Sequence, residues 1–178
     1  MGYFFIALAV VILIAMYFIV NQSTYRVTEK ELNTLPEPYK VIDDLELDID
    51  DENTLHIDHI VVGKPGIYLI NIIDRKGIIT GDESQPKWKE TIGDKIEEFD
   101  NPTFSNIKKM HLIREKLGDS EGSIPISSIV VFHKKADLND LFSESLTIRA
   151  NALKNYINSE LDNLSVEKIN EVVKDLTM

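Results

Sequence analysis

The chain has 178 residues, no cysteine, and a formal net charge of −11 from 30 acidic and 19 basic side chains. This rules out a disulfide-stapled scaffold, though it excludes no compartment. A surface of this sign repels phosphate backbones and anionic headgroups unless a local basic stripe exists, so charge gives no support to nucleic acid as a partner.

Residues 3–20 run from Tyr3, Phe4 and Phe5 to Tyr17, Phe18, Ile19 and Val20 without a single charged side chain. In lipid only a helix satisfies such a backbone by itself, and eighteen residues at about 1.5 Å each reach roughly 27 Å, enough to span a bilayer. A cleaved signal peptide needs a basic leading region and a small-x-small cleavage site, and the segment has neither. Tyr3, Tyr17 and Tyr25 fall near its two ends, where interfacial aromatics gather. Arg26, Lys30 and Lys40 follow the segment and nothing basic precedes it, which orients the rest toward the cytoplasm. The expected organisation is a single-pass anchor over residues 1–22 and one soluble domain over residues 23–178, at the cell membrane. The expected partners are the bilayer itself and a protein at its surface. Ala7, Ala9 and Ala15 are too scattered to mark a helix-packing face within the anchor.

Val27, Glu31, Leu32 and Leu35, closed by Pro36-Glu37-Pro38, predict a short helix and its stop. Alternation from Tyr39 to Ile49 predicts a strand with Leu45, Leu47 and Ile49 on one face. Two more strands, His56 to Val62 and Ile67 to Ile73, are joined by Gly63-Lys64-Pro65-Gly66, whose composition suits a tight hairpin. A fourth strand, Gly77 to Gly81, ends at a polar loop, Asp82 to Lys87, before Trp88. Asn101-Pro102-Thr103 reads as a helix start, with Asn101 as cap and Pro102 in the first turn. The stripe Phe104, Ile107, Met110, Ile113 and Leu117 is expected to face the core until Gly118. After a Gly/Ser-rich turn, Ile129 to Phe132 has the look of a buried strand. A small strand, Leu146 to Ile148, then precedes two helices, one carrying Leu153, Tyr156, Ile157 and Leu161 and one opened by Ser165. The fold class is α/β or α+β, a mixed sheet covered by helices.

The segment IDHIVVGKPGIYLI, then KGIITG, a single Trp88, NPTFSN and IVVF, resembles the nuclease-related domain family over most of the soluble chain. The resemblance implies a restriction-endonuclease-like fold: a central mixed sheet flanked by helices, here preceded by a transmembrane helix. It also implies a metal-dependent phosphodiester site, with an Asp on one strand and Glu-x-Lys on its neighbour, the acids holding Mg²⁺ and the lysine positioning water. Asp58 matches the family's Asp and would be the metal ligand. The Glu and Lys positions, however, fall on Asn71 and Ile73, and the glutamine after Asn-Pro is replaced by Ser105. The family's early Gly-Glu has no counterpart, Glu29 and Glu31 standing nearest to it. One carboxylate cannot hold Mg²⁺ and isoleucine cannot orient water. The expectation is therefore a catalytically degenerate module that binds or scaffolds, without a cofactor.

The alternative is a divergent Mg²⁺-dependent nuclease that uses Asp58 with Asp74 and Lys76, an acidic-x-Lys three residues downstream. A shift of three reverses the strand face, so Asp74 would need a bulge to reach the site. His56 shares a face with Asp58, and His59 lies on the other. Trp88 between Lys87 and Lys89 suits either a base-stacking platform or, more simply, a cover for one end of the sheet. Lys108-Lys109 and Lys134-Lys135 are basic pairs with acidic neighbours. His111 and His133 read as ordinary hydrogen-bonded histidines.

Overall fold

The computed structural model describes residue 5 and residues 23–50, 53–158 and 163–178. Apart from Phe5, the expected anchor lies outside these residues, and among those described no helix is long and apolar enough to cross a membrane. Alternating residues form two long strands, β1 (Lys40–Asp50) and β2 (Asn53–Gly63), paired antiparallel from Lys40↔Val62 onward. The predicted hairpin brings Gly63 opposite Gly66 and turns the chain into β3 (Gly66–Ile73). Gly66 has φ 145°, and a Cβ there would sit 2.3 Å from the Pro125 carbonyl oxygen, so only glycine fits.

Contrary to the expected single sheet, there are two mixed sheets flanked by helices. The first has the order β1-β2-β3-β7-β9, where β7 is Ile126–Phe132 and β9 is Leu146–Arg149, both running parallel to β3. The second has the order β6-β5-β4-β8, from β4 (Ile78–Asp82), β5 (Lys87–Ile92), β6 (Lys95–Asp100) and the two-residue β8 (Leu141–Phe142). The strand period is not visible in β5 and β6, because the adjacent charges Lys89-Glu90 and Glu97-Glu98 interrupt the alternation. Lys87 pairs with Asp100 and Lys89 with Glu98 across them, leaving Trp88, Glu90 and Phe99 to point inward.

Helices cover both faces of the first sheet. α1 (Thr24–Leu32) and α3 (Leu153–Ile157), the latter entered through a 3-10 turn at Ala150–Ala152, lie over Val61, Tyr68, Ile70, Ile129 and Val131. α2 (Pro102–Lys116) and α4 (Val166–Thr177) lie over Ile60, Val62, Ile67 and Leu69, with Ile113, Ile169, Val172 and Leu176 as their contributions. Asn101 and Ser165 cap α2 and α4 as expected. Between α2 and β7 the buried Asp119 organises the turn, accepting from Ser123, from the Ile124 N–H and from Arg114. A third cluster, Ile79, Trp88, Val130, Phe132 and Ala136, joins the two sheets. Trp88 thus sits between the sheets and not over one end of either. Gly81 permits this, since a Cβ there would lie 2.3 Å from the indole.

The strict alternation read along β1 and β2 also breaks. Asp44 adopts φ 52°, a conformation that aspartate tolerates better than most residues. The faces change phase there: Ile42 and Ile60 lie to one side of the break and Leu45, Leu47 and Ile57 to the other, yet all pack into the same core. Asp58 stands at this break.

Candidate functional site

β2 and β3 pair from Gly63↔Gly66 to His59↔Ile70 and no further, while β3 continues along β7 to Ile73↔Phe132. The strands separate at Asp58, whose carboxylate fills the gap: Oδ2 accepts the Ile72 N–H at 2.7 Å. A charge-assisted bond of this kind replaces the lost ladder contact. The other oxygen, Oδ1, lies 3.5 Å from His56 Nε2, which is itself 3.8 Å from Asp44. His56 and Asp58 are neighbours as their spacing predicted.

Opposite this gap stands α2, and its buried side is not the expected one. Phe104 and Ile107, the first two members of the predicted apolar stripe, are 46% and 52% exposed. The buried positions are Pro102, Thr103, Asn106, Lys109 and Ile113. α2 therefore carries a polar face in its first half, against the end of β3, while Met110, Ile113 and Leu117 of the predicted stripe do pack into the core. Asn71 Nδ2 donates to Asn106 Oδ1 at 3.1 Å, while Asn106 Nδ2 is buried without a partner among the described residues. Burial pushes the Lys109 ammonium below the ordinary lysine value, and the charge of Asp58 opposes that shift. The basic pair is thus divided, Lys108 in solvent and Lys109 inside. Neither Asn106 nor Lys109 was singled out as a site residue. The available signal was their i, i+3 spacing with Thr103, a polar stripe beside the apolar one.

The other expected site residues are placed elsewhere. Asp74 accepts from both the backbone N–H and the hydroxyl of Thr24, the first residue of α1. Burial raises the Asp74 carboxyl, but these bonds and the charges of His133 and Lys76 hold it below its ordinary value. Asp74 is thereby committed to the helix on the face opposite α2, where it satisfies an orphan N–H and the positive end of the helix. Asp74→Ala is expected to cost about 1 kcal/mol through loss of this contact, read as a lower thermal midpoint. The Lys76 side chain is exposed and its N–H donates to Glu90. Ile73 packs against the cluster around Trp88 and Phe132.

His59, on the other face, is 1% exposed and stacks near Tyr25, with Nδ1 2.6 Å from Asp43. Tyr25 is raised by burial and by the carboxylates of Asp44, Asp43, Glu29 and Asp58. His111 is exposed, and His133 accepts the Lys135 N–H. Trp88 is fully buried and unavailable for stacking on a base.

A Mg²⁺ site requires several oxygen ligands converging on one point. Here Asp58 is bonded to the Ile72 N–H, Asn71 is held by Asn106 and Ile73 is apolar. Among the described residues no group of three or more acidic or histidine side chains is placed to hold a metal ion. The residues present do not fit Mg²⁺.

The profile of the nuclease-related domain matches residues 21–133. The chain belongs to the nuclease-related domain family. It is also similar to an uncharacterized protein of Bacillus anthracis, 29% identical over 103 residues, covering 58% of this chain and 47% of that one. The chain thus spans about half the length of this relative. The matched nuclease-related segment takes in β1 to β7, and so every residue around Asp58 described above.

Proposed function

We propose that this chain is a nuclease-related module of restriction-endonuclease-like type that no longer cleaves, held at the cytoplasmic face of the cell membrane by residues 3–20 and acting there by binding a partner. The observation that carries it is what has become of the Glu-x-Lys strand. Asn71 gives its amide to Asn106, and Ile73 is packed into the cluster that joins the two sheets. Among the described residues no group of three acidic or histidine side chains gathers around Asp58, and β3 carries no lysine. The bond from Thr24 to Asp74 supports the same conclusion, because it gives Asp74 a structural task away from Asp58.

The full chain in detergent micelles, incubated with Mg²⁺ or Mn²⁺, is expected to leave single- and double-stranded DNA and RNA intact, at the level of an Asp58→Ala control. Metal-dependent cleavage that Asp58→Ala abolishes would overturn the proposal.

A further inference from the structure

Three isoleucines stand exposed at one end of the second sheet. Ile78, Thr91 and Ile96 form a row across β4, β5 and β6, and Ile92 precedes the β5–β6 turn at Gly93. Ile78, Ile92 and Ile96 are 43%, 50% and 64% exposed. One such residue is ordinary, but three on one tip make a patch of the kind that marks a contact surface. The tip adjoins the point where the chain enters the domain. Ile92 packs over Gly77, where a Cβ would lie 2.7 Å from its Cγ1. Gly77 follows closely on Asp74, which holds Thr24 by its N–H and its hydroxyl. Residues 3–20 end just before Thr24, and the intervening chain reaches at most about 14 Å.

The same end gathers positive charge in a chain whose net charge is −11. Lys76 is exposed next to Gly77. The segment after β7 returns along β4, with the Asp137 N–H donating to Gly77 at 3.0 Å and the Ile79 N–H to Asp137 at 2.8 Å, and it carries the exposed Lys135. Arg149, also exposed, donates its Nε–H to the Ala136 carbonyl at 2.8 Å. The acids nearby are engaged: Asp74 with Thr24, Glu90 with Arg75, Glu97 with Arg75 and Lys95, and Asp137 with the Asn139 N–H. Asp94, at the turn, is the exposed exception. The carboxylates of Asp43, Asp44 and Asp58 near Tyr25 belong to β1 and β2, on the other side of β3. Apolar side chains flanked by cations suit the boundary of an anionic bilayer, and the anchor brings that surface within reach. Resting on the membrane-anchored reading above, we infer that this tip seats on the anionic headgroups beside the anchor. Ile78, Ile92 and Ile96 enter the interface, and Lys76, Lys135 and Arg149 meet the lipid phosphates.

The absence of cysteine makes the test direct, since a single introduced thiol can be labelled alone. The full chain carrying Ile96→Cys or Phe142→Cys is labelled with a nitrobenzoxadiazole fluorophore and reconstituted into vesicles of phosphatidylcholine with about one third phosphatidylserine. Phe142 is the control, 69% exposed and paired with Asp82 at the far end of β4. Nitroxide-labelled lipid is expected to quench the probe at position 96 and to spare the probe at 142. Lys76→Gln and Lys135→Gln are each expected to lower the ratio of docked to undocked domain about 5-fold, the worth of one cation at an anionic surface. All these positions are exposed, so the variants retain the fold. Quenching at 96 no greater than at 142, or quenching indifferent to both lysine substitutions, would overturn the inference. So would a blue-shifted probe at 96 that lipid nitroxide does not quench, since a protein surface, such as a second copy of the chain, then covers the tip. Flotation of the vesicles in alkaline carbonate separates the two readings. A chain that fails to float loses the anchor and this inference with it, whereas a chain that floats with equal quenching at both positions loses this inference alone.

Discussion

Trp88→Ala is expected to lower the stability of the domain by about 4 kcal/mol, the largest effect of any single truncation here. The indole is fully buried, stacked on Phe132 at 6.4 Å between ring centroids and met edge-on by Phe99 at 6.3 Å. Its Nε1–H donates to the Asp82 carbonyl at 2.9 Å. Truncation leaves a cavity between the two sheets and an unpaired carbonyl. The surroundings cannot close it, because Gly81 has no side chain to move in and Phe132 is fixed in β7. Urea unfolding with tryptophan-independent detection, such as far-ultraviolet circular dichroism, reads the loss as a lower midpoint. A shift under about 1 kcal/mol would show that the second sheet docks by other contacts.

Glu90→Ala is expected to cost about 3 kcal/mol at neutral pH, with a dependence on pH that identifies the cause. Glu90 is 6% exposed and holds the strand crossover together: Oε1 accepts the Lys76 and Gly77 N–H groups at 2.8 and 2.9 Å, and Oε2 accepts from Arg75 at 2.7 Å. Arg75 is in turn laid over the Phe99 ring at 4.5 Å and bonded to Glu97. Burial pushes the Glu90 carboxyl up, but the bonds from Gly77, Arg75 and Lys76 prevail and hold it below the ordinary 4.5. A carboxyl depressed in the folded state stabilises the fold above the unfolded value and loses that contribution as pH falls through the folded one. The difference in urea midpoint between wild type and Glu90→Ala should therefore be greatest at neutral pH and shrink below pH 4.5. A difference that stays constant into acid would assign the cost to packing alone.

The two sites explain each other. The Gly77 region is where β3 leaves the first sheet and β4 begins the second, and Glu90 fixes that departure. With the departure fixed, Ile73 packs against the cluster between the sheets. The positive charge near Asp58 comes from α2, through Lys109.

Much of the architecture was legible in the residues because it rests on local chemistry. The hairpin at Gly63–Gly66, the caps Asn101 and Ser165, the apolar strands on either side of the hairpin and the short helix before Pro36 depend on turn geometry, orphan N–H groups and burial, each written within a few neighbouring residues. The spacing of Asp58, Asn71 and Ile73 was equally plain. What only the tertiary structure decided is which side of each element is inside. β5 and β6 carry charges that pair across the hairpin, Lys87 with Asp100 and Lys89 with Glu98, so their strand character emerges only when both are present. α2 has an apolar stripe and a polar one: Met110, Ile113 and Leu117 pack into the core, while at its first turns Phe104 and Ile107 are left exposed and Asn106 meets Asn71. Period two fails at Asp44, where one positive φ angle exchanges the faces of a strand pair. Lys109 illustrates the limit best: a lysine beside another lysine on a helix is a solvated charge by composition, and it becomes a buried donor facing Asp58 because packing, a property of the whole chain, chooses the helix face.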